Sequence, residues 1–231
     1  MKIAFVSKRN YWSEYLWKKL LNHIISEKEI IWFRICYTDE LLKKFDKESF
    51  DYLFFFHWSD IVAEEIYKNN NCIVLHTSNL PDGRGGSPIQ NQFLNKVYDS
   101  KVNAILMQKE IDSGPIFCSK PVKLQGNLFD IWTAIANSAY EVILEFLTKL
   151  PSPKEQNFSK DDKIYKRLKT NNIDFESKED LLEIYDFIKI HDAEGYPKAN
   201  IKINDFKIEF SRAKFDDNKL ICDVLITKDE N

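Results

Sequence analysis

Apolar residues recur along the first two thirds of the chain in short blocks divided by polar, turn-forming stretches. Residues 2–7, Ile30 to Tyr37, Asp51 to His57 and Cys72 to His76 have the length and the β-branched and aromatic content of strands. The third of these, with Tyr52-Leu53-Phe54-Phe55-Phe56, is apolar at every position, the pattern of a strand buried on both faces. Between the blocks, Trp12, Tyr15, Leu16, Leu20, Ile24 and Ile25 recur at close to helical spacing over Trp12 to Ser26. His23 on that helix reads as structural. Thr38 caps a short helix through Phe45, and Ser59 or Asp60 caps another through Tyr67. Pro88 opens a helix over 88–95. Lys101 to Gln108 and Ile116 to Leu124 are further strands, and Asn127 to Leu150 is a long helix whose apolar face holds Leu128, Ile131, Ile135, Ala139, Val142, Ile143 and Phe146. Strands alternating with helices predict an α/β fold with a Rossmann-like, mostly parallel sheet over residues 1–150.

The texture changes at Pro151-Ser152-Pro153. A polar stretch to about Thr170 reads as a linker, with Lys160 to Lys169 as solvated surface. Ser177 caps a helix running to about His191, with acids in its first turn. Ala199 to Ile203, Lys207 to Phe210 and Leu220 to Val224 then read as three short antiparallel strands, with a turn at Asn204-Asp205. Residues 151–231 are therefore expected to form a linker, a helix and a small β-rich subdomain, a C-terminal α+β extension. The edges of these strands need covering, and a homodimer through this piece is one way to do it.

Composition narrows the picture without choosing a function. The chain has 231 residues, 44% apolar and 30% charged, with 17 Phe, 10 Tyr and 5 Trp as bulky core and pocket material. The net charge is −3, which leaves no basic footprint for nucleic acid. Cys36, Cys72, Cys118 and Cys222 are widely spaced, with no CxxC pair, so neither a zinc ribbon, a redox motif nor another metal site is expected. Cys36, Cys72 and Cys118 lie in apolar runs and read as buried thiols. The first apolar run is too short for a signal peptide, and no stretch approaches a membrane span. A reduced, cytoplasmic protein without a membrane partner is the expectation.

Candidate chemistry concentrates after the fourth strand. It delivers His76 into Thr77-Ser78-Asn79-Leu80-Pro81-Asp82-Gly83-Arg84-Gly85-Gly86-Ser87-Pro88, where glycines let backbone approach a ligand closely. Ligands of open α/β sheets sit at such carboxyl ends. Asp112-Ser113-Gly114-Pro115-Ile116 follows later. Nothing after the first strand supplies the glycine fingerprint of a dinucleotide site, since Ser7-Lys8-Arg9-Asn10 stands there.

His76, Ser78, Leu80, Pro81, Arg84, Gly85 and Pro88, then Asp112, Gly114 and Ile116, together resemble the formyltransferase family that uses 10-formyltetrahydrofolate. The likeness covers roughly residues 1–150, which it makes the catalytic domain with the formyltransferase fold. It assigns His76 as the group that stabilises the oxyanion of formyl transfer to an amine. It assigns Asp112 as the carboxylate that accepts a proton through water and holds the histidine charged. The cosubstrate pocket is expected at His57, Trp58, Met107, Ile111 and Arg84, the last pairing with a phosphate or the folate tail. Lys8, Ser78, Asn79, Gly85, Ser87, Gln90 and Tyr196 are expected to meet the acceptor. Tyr196 belongs to His191-Asp192-Ala193-Glu194-Gly195-Tyr196-Pro197-Lys198-Ala199, similar to a segment of sugar formyltransferases and of the methionyl-tRNA enzymes. The string Gly83-Arg84-Gly85-Gly86-Ser87-Pro88-Ile89-Gln90-Asn91 is most similar to the nucleotide-sugar subgroup, in particular the enzymes acting on UDP-4-amino-4,6-dideoxy-N-acetyl-β-L-altrosamine, of pseudaminic-acid type. The implied acceptor is a 4-amino-4,6-dideoxy sugar on a nucleoside diphosphate. One position departs from the family: Val74 stands where an asparagine normally precedes the histidine. Ser78, Asn79, Asn91 or a backbone amide are the candidate replacements. A 10-formyltetrahydrofolate hydrolase and a catalytically weak binding protein are the alternatives.

Overall fold

The computed structural model describes residues 1–22, 29–45, 48–193 and 195–228. His23, Ile24, Ile25, Ser26 and Glu194 of the sequence analysis lie outside them. Strands β1 (Lys2–Val6), β2 (Ile31–Ile35), β3 (Tyr52–Phe56) and β4 (Cys72–Thr77) are joined by helices α1 (Tyr11–Leu21), α2 (Thr38–Phe45) and α3 (Glu64–Asn69). A two-residue strand β5 (Arg84–Gly85), helix α4 (Pro88–Leu94), strands β6 (Asp99–Leu106) and β7 (Ile116–Lys123) and the long helix α5 (Leu128–Lys149) follow. The six-stranded sheet has the order β2-β1-β3-β4-β6-β7. Its first four strands run parallel, while β6 and β7 are antiparallel. The mostly parallel α/β sheet expected from the sequence is therefore present.

Alternation along the parallel strands makes two cores, one on each face of the sheet. Ile3, Phe5, Phe54, Phe56, Ile73 and Leu75 pack against α1, α4 and α5, while Ala4, Val6, Leu53, Phe55 and Cys72 pack against α2 and α3. Each large side chain so buried contributes about 1.5–3 kcal/mol. The capping of α5 is reciprocal: Asn127 accepts from the Asp130 N–H and Asp130 from the Asn127 N–H. The carboxyl edge of β1, β3 and β4 lies where the chain crosses from one side of β1 to the other, the place where open α/β sheets bind ligands.

Several elements start elsewhere than the sequence pattern implies. Asp60 does not cap α3, because its carboxylate accepts from Lys8 (2.7 Å) and Thr38 (2.8 Å); the helix begins at Glu64. The last helix, α6 (Leu181–Lys189), is capped by Asp180, which accepts from the Glu183 N–H, and not by Ser177, whose hydroxyl donates to the Asp174 carbonyl. The C-terminal strands β9 (Ala199–Ile203), β10 (Phe206–Asp216) and β11 (Lys219–Lys228) form one antiparallel sheet, the last two as a long hairpin with a bulge at Ser211–Lys214. Cys118 is half-buried, not buried as expected, while Cys36 and Cys72 are interior. Among the described residues no helix is long and apolar enough to cross a membrane.

The polar stretch 151–170 is not a free linker. Lys154 exchanges two backbone hydrogen bonds with Ile116 (2.8 Å each), and strand β8 (Ile164–Tyr165) pairs parallel with β5. It forms a strap across the loops that carry His76 and Asp112.

Candidate active site

His76 is the next-to-last residue of β4 and is 6% exposed. Its Nδ1 lies 3.3 Å from Asp112 Oδ2 and its Nε2 3.0 Å from the Gly83 carbonyl oxygen. Both ring nitrogens thus face acceptors, a carboxylate on one side and a main-chain carbonyl on the other. Asp112 Oδ2 also accepts from the Gly85 N–H (3.0 Å). Asp112 sits at φ +53°, a left-handed conformation that Asp and Asn tolerate better than most residues. Its turn is held by Ser113, whose hydroxyl donates to the Glu110 carbonyl (2.9 Å). A side chain at Gly114 would meet the Leu106 carbonyl oxygen at 1.8 Å, so the glycine of the Asp-x-Gly pattern is required by packing against β6.

The glycines after His76 answer to the strap. A Cβ on Gly83 would touch the Tyr165 ring at 2.8 Å, one on Gly85 the Tyr165 carbonyl oxygen at 2.3 Å, and one on Gly86 the Arg167 backbone at 2.9 Å. The close approach that the sequence offers to a ligand is used here by the protein's own backbone. Asp82 accepts from the Lys163 N–H (2.7 Å), and Ser87 Oγ accepts from the Leu168 N–H (3.0 Å). Arg84, 8% exposed, lies beneath Phe158 of the strap (4.3 Å to the ring centroid) and 3.6 Å from the exposed carboxylate of Glu110.

Of the candidate replacements for the asparagine at Val74, two are committed. Asn79 donates to the Asp99 carbonyl, and Asn91 to the carbonyls of Gly86, Ser87 and Lys166. The Ser78 hydroxyl, 1% exposed, has no hydrogen-bond partner among the described residues.

The expected cosubstrate residues divide between the faces of the sheet. Trp58 and Met107 each pack against the core on the α2/α3 face, with Lys8 Nζ 5.8 Å from the Trp58 ring centroid and paired with Asp60 at 2.7 Å. The Trp58 indole N–H is buried without a partner among the described residues. Ile111 is 70% exposed beside Asp112.

His57 goes the other way. Its φ of +49° turns the ring off the strand line into the α1/α5 face, edge-on to Trp132 (4.5 Å) and Trp12 (5.6 Å), which stack on each other at 4.9 Å. Asn10 caps α1 by accepting from the Ser13 N–H, which leaves its NH2 facing His57 Nδ1 (3.5 Å). Nδ1 is then the acceptor, and the Nε2–H donates to the Tyr196 hydroxyl oxygen (3.2 Å). The Gln90 side chain reaches the same phenol. Tyr196 and Gln90, expected at the acceptor, thus stand together with His57, which was expected at the folate.

Burial, with Lys8 nearby as a smaller cause, pushes the His57 pKa down to about 4 from 6.5. Above pH 6.5 the ring is neutral in the folded and unfolded chain alike. Below it the unfolded chain takes up a proton that the folded ring refuses until about pH 4, so stability falls across that window. The expected loss from this group is about 2 kcal/mol at pH 5. Urea midpoints at pH 7 and pH 5 should drop further for the wild type than for His57→Gln; equal drops would refute the assignment. His191 is also lowered by burial, and it bonds to the Phe187 carbonyl through Nδ1 (2.8 Å), a structural position.

Sequence reasoning did not single out Gln156, Tyr165 or Trp132. Gln156 and Tyr165 lie in a stretch without periodicity, and Trp132 neighbours the apolar face of α5 that the spacing did reveal. Among the described residues no group of three His, Cys, Asp or Glu is placed to hold a metal ion.

A profile of the methionyl-tRNA formyltransferase C-terminal domain matches residues 169–227. The solved structure of a methionyl-tRNA formyltransferase from Clostridium thermocellum is 33% identical, with a TM-score of 0.87, over 99% of this chain and 99% of that one. The chain belongs to the formyltransferase family. The methionyl-tRNA formyltransferase of Campylobacter jejuni is 33% identical to this family member over 112 residues, 47% of this chain. The matched part spans only 37% of that relative's length. A 4-N formyltransferase from Francisella tularensis, 16% identical with a TM-score of 0.67 over 88% of this chain and 93% of its own, shares the fold.

Proposed function

We propose that this chain transfers the formyl group of 10-formyltetrahydrofolate to a primary amine. The observation that carries the reading is the His76–Asp112 pair, held at 3.3 Å at the carboxyl edge of a parallel sheet in a formyltransferase-family chain. The folate supplies the activated formyl carbon; the chain supplies orientation, a donor and a proton acceptor. His76 exchanges its bond to the Gly83 carbonyl for one to the oxygen on which charge develops. Asp112 takes the amine's proton through water; as the adduct collapses, the bond from the formyl carbon to N10 of the folate breaks and a proton passes to N10, so that tetrahydrofolate leaves. The Ser78 hydroxyl, uncommitted and two residues along, is the candidate second donor in place of the family asparagine.

The acceptor we propose is a nucleotide-linked 4-amino-4,6-dideoxy sugar, with UDP as the carrier. The net charge of −3, and the excess of acidic over basic residues across 169–227, disfavour docking a polyanion the size of tRNA. Tyr196, half-buried beside the Trp12–Trp132 stack, is the aromatic ring available to a sugar or base. The amine of an aminoacylated tRNA is the second reading, supported by the names of the relatives and by the C-terminal profile.

The test is formylation by purified protein of a panel of UDP- and dTDP-linked 4-amino sugars and of methionyl-tRNA, followed by product mass. One added formyl on a single sugar is the expected result. Transfer to the tRNA alone would replace the acceptor, and formate release without any amine would replace transfer by hydrolysis. Folate binding without turnover would leave only the binding protein.

A further inference from the structure

The strap holds the Asp112 turn as well as the glycine loop. Gln156 is 7% exposed, and its Nε2 donates to the Asp112 carbonyl (2.9 Å) and the Gly114 carbonyl (2.7 Å). With carbonyl oxygens on both sides, only the NH2 end of the amide can face them, so its orientation is fixed. One buried amide therefore serves two carbonyls of a turn whose central residue is at φ +53°. Lys154, two residues earlier, is pinned to Ile116 on the far side of the same turn. Tyr165, further along the strap, accepts from the Gly86 N–H (3.0 Å) and fills the space beside Gly83 and Gly85. A single segment thus spans the loop that faces His76 Nε2 and the loop that delivers a carboxylate to His76 Nδ1.

We propose that Gln156 is a positioning residue: it fixes the Asp112 turn from the strap and so sets the His76–Asp112 geometry. It touches neither substrate nor reacting atoms. The proposal rests on the formyl-transfer reading for its consequence in rate, but its structural half can be tested without any acceptor.

Gln156→Leu keeps the volume and removes both donors. With the acceptor found by the panel, kcat should fall about 10- to 100-fold, while KM for folate and amine stays within about threefold. Gln156→Glu offers one donor only when protonated, so its kcat relative to wild type should recover as pH falls, and that of Gln156→Leu should not. A merely structural role would lower the folded fraction and leave kcat per folded molecule and the pH profile unchanged. That outcome would overturn the proposal. The second readout is NMR of protein labelled in its histidine rings, with signals assigned through His76→Ala and His57→Gln. Gln156→Leu should move the His76 ring resonances and leave those of His57 in place. If the wild type formylates no amine, this arm still decides: an unmoved His76 signal refutes the positioning role, and a moved one upholds it while the proposed activity falls.

Discussion

His76→Ala is expected to lower kcat for formyl transfer about a thousandfold, with KM values little changed. On the proposed mechanism the removed ring donates to the developing charge, and losing one such donor typically costs about 10²–10³ in rate. The structure adds that the loss cannot easily be covered: Asn79 and Asn91 already donate to carbonyls, which leaves the Ser78 hydroxyl. Asp112→Asn is the sharper companion. Asparagine accepts the left-handed φ of +53° and can keep the bond from the Gly85 N–H through its carbonyl, so the turn should survive. What disappears is the negative charge beside Nδ1 and the acceptor for the amine's proton, expected to cost about 10²–10⁴. Single-turnover formylation, with circular dichroism as a check on folding, separates the two effects. Activity within tenfold of wild type in either variant would remove the pair from the chemistry.

What the sequence revealed of this site depended on the kind of interaction. The two cores were legible because β3 is apolar at every position, and the structure assigns Phe54 and Phe56 to one face and Leu53 and Phe55 to the other. The His76 loop and the Asp112 turn were legible as a joint motif, which is a statement about residue types in order. The strap was not. Its bonds run mostly from main-chain groups, among them Lys154, Lys163, Tyr165, Lys166 and Leu168, with the Gln156 amide and the Lys163 ammonium as polar side chains, and such contacts impose no apolar period on 151–170. The turn of His57 was also hidden. Chain order puts it next to Trp58, yet a positive φ sends the two rings to opposite faces of the sheet. Misplaced helix starts have the same origin: Asp60 and Ser177 are good caps in isolation, but Lys8, Thr38 and the Asp174 carbonyl take them first.

The strap also makes Gly85 the most exacting position in the loop. Gly85→Ala would place a methyl 2.3 Å from the Tyr165 carbonyl oxygen, a backbone atom fixed by the pairing of β5 with β8 and by its bond from the Gly86 N–H. The backbone is also at φ +103°, a region L side chains avoid. Strain of about 1–3 kcal/mol and overpacking of a similar size both act here. Together they are expected to lower the melting temperature by roughly 10 °C, at 2–4 °C per kcal/mol for a chain of this size. Gly195→Ala is the internal comparison, since it shares a positive φ (+76°) but, among the described residues, has nothing within 4 Å of the new methyl. It should cost about 1 kcal/mol and only a few degrees. If the strap yields in order to admit the methyl at Gly85, the Gly85 N–H moves off Asp112, and kcat should fall about a hundredfold in the fraction that folds. Equal melting shifts in the two variants would mean that the strap is loosely held and that the glycines of the loop answer only to their own backbone angles.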